Sequence, residues 1–160
     1  MKVFISHKQA DSSVAVNIQR AFKEHDVEVY LDVLDAAITG KGKALTDHIK
    51  EQLNKCSDII VVMSENTKLS WWVPFEIGMS AQVDMPTATF LARNLNLPDY
   101  LSYWPRLKEI SDIGKYVATR KSVSQQMRLQ RDILFESLSE SERRNIETPE
   151  FYRKLKLALS

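Results

Sequence analysis

The sequence predicts an α/β fold of three layers, with a parallel sheet of about five strands between helices and a helical extension at the C-terminal end. Two observations carry this expectation. Short apolar runs alternate three times with amphipathic stretches, which calls for crossover connections and therefore a parallel sheet. In addition, "DIIVVM" (58–63) is a continuous, largely β-branched run bounded by polar residues, as a central strand buried on both faces requires.

Each element follows from its local pattern. "KVFISH" is an apolar run broken at Ser6 and His7, a strand with polar groups at its C-terminal end. "DSSVAVNIQRAFKEHD" spaces Val14, Ile18, Ala21 and Phe22 as one helical stripe, with Asp11 or Ser12 available as N-cap. "VEVYLDV" reads as the second strand and "LDAAITGKGKA" as a loop. "LTDHIKEQLNKC" aligns Leu45, Ile49 and Leu53 on a second helix. After the third strand, "LSWWVPFEIGMSAQV" gives a third helix and "PTATFLA" a fourth strand. "YLSYWPRL" reads as a short edge strand ending at Pro105, and "LKEISDIGKYV" as a helix. From about Arg120 the chain becomes polar and weakly amphipathic. Thr148 before Pro149 signals the start of a last helix, "PEFYRKLKLAL".

Composition narrows the function classes. The chain has 160 residues, 44% hydrophobic and 27% charged, with a net charge of +1, so nothing in it advertises nucleic acid or a membrane surface. The longest apolar runs are strand-sized, and the cytoplasm is the expected location. Cys56 is the single cysteine and reads as a small buried thiol. The three histidines are too far apart for a zinc motif, so no metal is expected.

In an open parallel sheet, ligands bind beyond the C-terminal ends of the strands. That rule selects Ser6, His7 and Lys8 after the first strand, the stretch from Asp32 to Lys43 after the second, and Ser64 to Trp72 after the third. Around Lys41 the "GKGK" loop does not fit a phosphate loop, because Ala37 stands at the first glycine position and Ala44 follows Gly42-Lys43. It reads either as a solvated surface loop or as a lysine touching a ligand phosphate. A phosphorelay receiver is set aside, since it needs an acidic pair after the first strand and an aspartate after the third.

The stretch "WVPFE" is the most informative. Pro74 is tolerated only in the first turn of its helix, which places Glu76 within about one turn of the helix N-terminus, where a carboxylate is favoured. Such an acid also simply stabilises a helix start. Trp72 and Glu76 are four apart and share a face if the first turn reaches back to Trp72. A carboxylate beside a flat aromatic suits a cation developing on a sugar ring while a ring system stacks on indole. Of the adjacent Trp71 and Trp72, one is expected in packing and the other in the pocket or against a second copy, with Trp72 expected in the pocket.

"VFISHKQAD", "VYLDV" with its glycine-containing loop, and "DIIVVMSENTKLSWWVPFEIG" together closely resemble the Toll/interleukin-1 receptor (TIR) domain in its bacterial form, over roughly residues 1–118. The resemblance implies a flavodoxin-like TIR domain at 1–118; residues 119–160 lie outside it and, from their polar helical pattern, read as a helical extension packed on that domain or on a partner copy. It implies NAD cleavage as an enzyme activity, with NAD a substrate and no cofactor. Glu76 would be the catalytic glutamate, the loop from about Asp32 to Ala44 the mobile flank of the pocket, and Ser6, His7 and Lys8 its lining. His7-Lys8 departs from the aromatic or arginine residues often found there. Short bacterial TIR proteins of anti-phage defence imply further expectations: self-association through TIR–TIR contacts, an ADP-ribose, cyclic or conjugated product, and a separate effector protein reached through that nucleotide signal. Two other readings stay open. One is a TIR interaction module without catalysis, and the other a nucleoside deoxyribosyltransferase-like enzyme, which has a related fold and uses a glutamate at a sugar carbon.

Overall fold

The computed structural model describes residues 1–32, 42–67, 72–91, 95–97, 99–134 and 139–160. Five parallel strands form one sheet: β1 (Lys2–Ser6), β2 (Glu28–Asp32), β3 (Asp58–Met63), β4 (Thr87–Leu91) and β5 (Arg106–Leu107), in the order β2-β1-β3-β4-β5. This is the expected flavodoxin-like arrangement. The helices are α1 (Ser12–Lys23), α2 (Gly42–Asn54), α3 (Trp72–Gln82), α4 (Asp112–Leu134) and α5 (Glu140–Leu159). None among the described residues is long and apolar enough to cross a membrane.

The period-two geometry of the strands divides the core into two layers. Val3, Ile5, Ile60, Val62, Ala88 and Phe90 point to one face, where α1, α4 and α5 cover them with Ile18, Phe22, Tyr116, Phe151 and Leu155. Phe4, Ile59, Val61 and Met63 point to the other, against Ile49 and Leu53 of α2 and Val73 and Ile77 of α3. All six residues of β3 are buried, as its uninterrupted apolar sequence demands.

Four local readings are corrected. Helix α2 begins at Gly42, so Gly42 to Ala44 are helical rather than loop; the Thr46 hydroxyl donates to the Gly42 carbonyl at 2.9 Å. The fifth strand follows Pro105 instead of ending there. Proline has no N–H to give a ladder, but its carbonyl accepts from the Thr89 amide at 3.0 Å and opens the pairing of β4 with β5. Residues 99–101, of which Tyr100 and Leu101 are expected in that strand, form a 3₁₀ turn. The helix read from Leu107 starts at Asp112 and runs on unbroken to Leu134.

The last helix starts nine residues before the Thr148-Pro149 signal. Ser139 and Glu142 form a capping box, the Ser139 side chain accepting from the Glu142 amide while the Glu142 carboxylate accepts from the Ser139 amide. Pro149 lies inside α5. An interior proline costs on the order of 3 kcal/mol, and here tertiary contacts offset it. Phe151, Tyr152 and Leu155 are buried one turn on, the Thr148 hydroxyl donates to the Asp84 carbonyl at 2.7 Å, and the Thr87 amide donates to the Tyr152 hydroxyl at 2.9 Å. These bonds dock α5 onto the α3–β4 connection of the sheet domain.

Candidate active site

The strand order reverses at β1 and β3. From β1 the chain goes outward to β2 and then returns across β1 to β3, so the crevice between the C-terminal ends of β1 and β3 is the switch point at which such sheets bind ligands. Ser6 is the last residue of β1, in register with Asp32 of β2 and Val61 of β3. Alternation puts Phe4 and Ser6 on the α2–α3 face.

Helix α3 buries Val73, Ile77 and Ser80, an i, i+4, i+7 stripe toward that same face. Glu76 lies within this stripe and is only 1% exposed. A carboxylate on a core-facing stripe is an expensive placement. Pro74 is the third residue of α3 and Glu76 the fifth, so the acid stands just beyond the first turn. The Ser6 hydroxyl donates to Glu76 Oε2, joining the end of β1 to α3 directly at the switch point. A charge-assisted bond of this kind holds the carboxylate in one orientation.

A second polar cluster borders it. Asp11 is 6% exposed and was expected as an N-cap, but its side chain makes no capping bond to α1. It reaches across to the turn after β3 instead, accepting from Ser64 Oγ at 2.6 Å and from Asn66 Nδ2 at 3.0 Å. Ser64 Oγ in turn accepts from the Asn66 and Thr67 amides at 3.0 and 3.3 Å, and Thr67 Oγ1 accepts from the Ser64 amide at 2.7 Å. The turn's backbone donors are thus satisfied by side chains, which shapes it without a regular element. Asn66 falls within the Ser64–Trp72 stretch that the sheet rule selects, whereas Asp11 is a member of this cluster that sequence reasoning missed as a site-shaping residue, its partner Ser64 lying 53 positions away.

The expected site residues separate accordingly. Ser6 and Glu76 meet. Ser64 spends its hydroxyl on Asp11. His7 is 3% exposed, with Nδ1 3.4 Å from the Ile5 carbonyl and Nε2 3.5 Å from Ser12 Oγ, both on the β1–α1 side rather than toward Glu76. Lys8 is exposed at the rim and donates to the Asn66 carbonyl at 3.2 Å. Asp32 ends β2 and Trp72 begins α3, but their side chains, with all of Lys41 and Trp71, lie outside the described residues. No three His, Cys, Asp or Glu side chains among the described residues converge as metal ligands.

A Cytobacillus dafuensis protein named TIR2 and described as a candidate cyclic ADP-D-ribose synthase is 29% identical over 85 residues, a match covering 51% of this chain and 22% of that protein. The chain therefore spans less than a quarter of this relative's length. Among solved structures, a 2-deoxyribosyltransferase from Bacillus psychrosaccharolyticus superposes with a TM-score of 0.60 at 8% identity, over 71% of this chain and 90% of that one. The TIR domain of the Toll-related receptor TRR-2 from Hydra magnipapillata superposes with a TM-score of 0.54 at 17% identity, over 66% and 81%. At these identities the two structures speak for the fold. The family model for the TIR domain matches residues 3–109, more than half of the chain and the whole stretch that carries Ser6 and Glu76, so the protein belongs to the TIR domain family.

Proposed function

We propose that this chain cleaves the N-glycosidic bond between nicotinamide and ribose in NAD, with Glu76 as the catalytic carboxylate. The observation that carries the reading is the buried Glu76 side chain, hydrogen-bonded by Ser6 at the β1–β3 switch point. The candidate cyclic ADP-D-ribose synthase among the relatives supports the same class of reaction.

Nicotinamide departs from NAD as a neutral molecule, so the leaving group needs little acid catalysis. The barrier lies in the oxocarbenium-like charge left on the ribose. A fixed carboxylate close to that charge or to the ribose hydroxyls stabilises the transition state more than the ground state. This is the electrostatic half of glycoside cleavage, with the leaving-group acid dispensed with. Burial strengthens the effect by excluding water, and the Ser6 hydroxyl keeps the carboxylate aimed. Because Glu76 is 1% exposed, productive binding requires the residues covering it to part. The acceptor sets the product: water yields ADP-ribose, an atom of the same nucleotide a cyclic isomer, and another small molecule a conjugate.

In this reading the product is a soluble signal in bacterial anti-phage immunity, made in the cytoplasm by TIR–TIR assemblies and read by a separate effector protein. Lys8, exposed at the rim, lies near phosphate in this reading. The test is nicotinamide release from NAD by purified protein, with crowding agent to promote assembly. Glu76→Gln is expected to lower the rate by at least 10²-fold, the scale of removing one oriented electrostatic group. Its far-ultraviolet dichroism should match the wild type. Turnover by Glu76→Gln at the wild-type rate removes Glu76 from the mechanism. Absence of nicotinamide under every condition favours the interaction module, and release of base from deoxynucleosides but not from NAD favours the transferase.

A further inference from the structure

At the opposite end of the sheet, two solvent-facing hollows of about 420 and 610 Å³ adjoin one another and share Ser57 and Arg120. Ser57 immediately precedes β3, whereas Glu76 meets the sheet beside the strand's far end. Glu76 bonds to Ser6, which is in register with Val61, and the four residue steps from Ser57 to Val61 put roughly 13 Å of strand between the two places. The first lies between α4 and α5 and the second along α4 beside Met1, and both fall within the size range of small-ligand sites.

Their lining is strongly basic. Arg120, Arg143 and Arg144 line the first hollow, and Arg120, Lys121 and Arg128 the second, against one lining carboxylate among the described residues, Glu147. That carboxylate is already spent. Glu147 Oε1 accepts from Arg120 Nη1 at 2.5 Å, while Arg120 Nε donates to the fully buried Asp58 at 2.7 Å. The bonds made by two of the other cations leave their charge standing: Arg143 Nε donates to the Ser139 carbonyl at 3.3 Å, and Lys121 Nζ to the His25 carbonyl at 3.4 Å. A carbonyl satisfies an N–H without neutralising a cation. Arg143 and Arg144 are also the fourth and fifth residues of α5, near the positive end of its macrodipole, so the helix adds to the local potential. In a chain of net charge +1, this concentration of positive charge around a hollow is a local conflict of the kind found at functional sites.

We propose that these two hollows, joined at Ser57 and Arg120, form a second binding site, for a small anion carrying two or more phosphates, separate from the Glu76 site. Arginine forks suit phosphate oxygens bidentately, and Arg120, fixed on three sides by Asp58, Glu147 and the Phe151 ring 5.2 Å from its guanidinium carbon, is pre-organised as the floor. Lys121 and Arg128 would close over the ligand from α4, Arg143 and Arg144 from α5. The proposal is independent of NAD cleavage and survives its failure.

The experiment is titration of the full chain with inorganic pyrophosphate, followed by amide chemical shifts and calorimetry, with ADP as a second arm. Expected are saturable shifts clustered at Ser57, Lys121, Arg144 and Thr148, and an affinity that falls steeply as salt rises. The exposed-side pair Lys121→Glu with Arg128→Glu should weaken pyrophosphate at least tenfold, and Glu76→Gln should leave it unchanged. If the charge-reversed pair does not fold, Arg143→Gln alone is expected to weaken binding several-fold. Binding of both probes assigns the site to phosphate itself, and a clear preference for ADP there assigns it to nucleotides. No saturable shift at these residues up to 10 mM probe overturns the proposal, and so do shifts confined to the Ser6–Glu76 end or an affinity indifferent to the cavity substitutions.

Discussion

Removing the Asp58 carboxylate tests what ties the C-terminal helices to the sheet. Asp58 begins β3 with no exposed surface; its Oδ1 accepts from the Tyr116 hydroxyl at 2.9 Å and Arg120 Nε at 2.7 Å, and its Oδ2 from Ser57 Oγ at 2.6 Å. Burial by itself would favour a neutral guanidinium, but Asp58, with Glu147, outweighs this and holds Arg120 charged. Asp58→Ala leaves that cation buried with Glu147 as partner and strands the Tyr116 hydroxyl. Breaking one side of a buried pair costs roughly 3–5 kcal/mol. The Arg120 side chain keeps 13% exposure, so some water reaches it and the lower half of the range applies. A chain of 160 residues loses about 3 °C of melting temperature per kcal/mol. Asp58→Ala should therefore melt about 9–12 °C lower by differential scanning calorimetry. The triple variant Asp58→Leu, Arg120→Met, Tyr116→Phe removes every stranded group and should recover most of the loss. A drop below about 3 °C in the single variant, or a triple variant no better than the single, refutes the account.

Three further outcomes are expected. Burial pushes the Cys56 thiol up to about 11, so at pH 8 a disulfide reagent should label it only as fast as the protein opens, and denaturant should accelerate labelling by orders of magnitude. Burial also raises the Tyr152 hydroxyl to about 12, against an ordinary value near 10, and Tyr116 shifts the same way. For Tyr152 the unfolded chain then loses its proton first, so its contribution to stability holds below pH 10 and falls between pH 10 and 12, by roughly 1.4 kcal/mol at pH 11; Tyr152→Phe should make this alkaline limb of a melting-temperature profile shallower. Asp11→Ala releases the Ser64–Asn66 turn, costing about 1–3 kcal/mol in denaturant titrations, and should slow nicotinamide release at 25 °C, where the variant is still folded. Unchanged stability would show that Asp11 does not hold the turn.

The parts legible in the sequence are those in which local pattern and tertiary need coincide. The β3 run is apolar throughout because both faces of that strand are covered, and Phe4 and Ser6 alternate with Val3 and Ile5 because the sheet separates two core layers. Pro74 restricts where α3 can begin, and Glu76 could be placed from that alone. Misreadings arose where two local signals competed. Thr148-Pro149 has the chemistry of a helix start, but so does Ser139 with Glu142, and burial of Phe151, Tyr152 and Leu155 decided for the latter. Asp11 has the chemistry of a cap, yet a partner 53 positions away claimed it. No window along the chain contains that partner. The hollow between α4 and α5 was hidden for the same reason, since Arg120 and Arg144 meet only when α5 folds back.

Glu76 raises the question of whether its carboxylate serves the fold or the reaction, and stability can separate the two. Val73, Ile77 and Ser80 show that α3 turns this stripe inward, so a side chain at position 76 is buried whatever its chemistry. If the carboxylate is structural, its loss should resemble that of Asp58, with a melting temperature lower by about 9 °C or more. If it is retained for catalysis, the fold carries a desolvated charge that it does not need. Glu76→Met, apolar and of similar volume, should then melt within about 3 °C of the wild type or above it, because desolvation of the charge offsets most of what the Ser6 bond contributes. Nicotinamide release should still vanish. A large loss of stability in Glu76→Met, with nicotinamide release retained by the folded fraction, would make this carboxylate the α3 counterpart of Asp58 and take away the observation on which NAD cleavage rests.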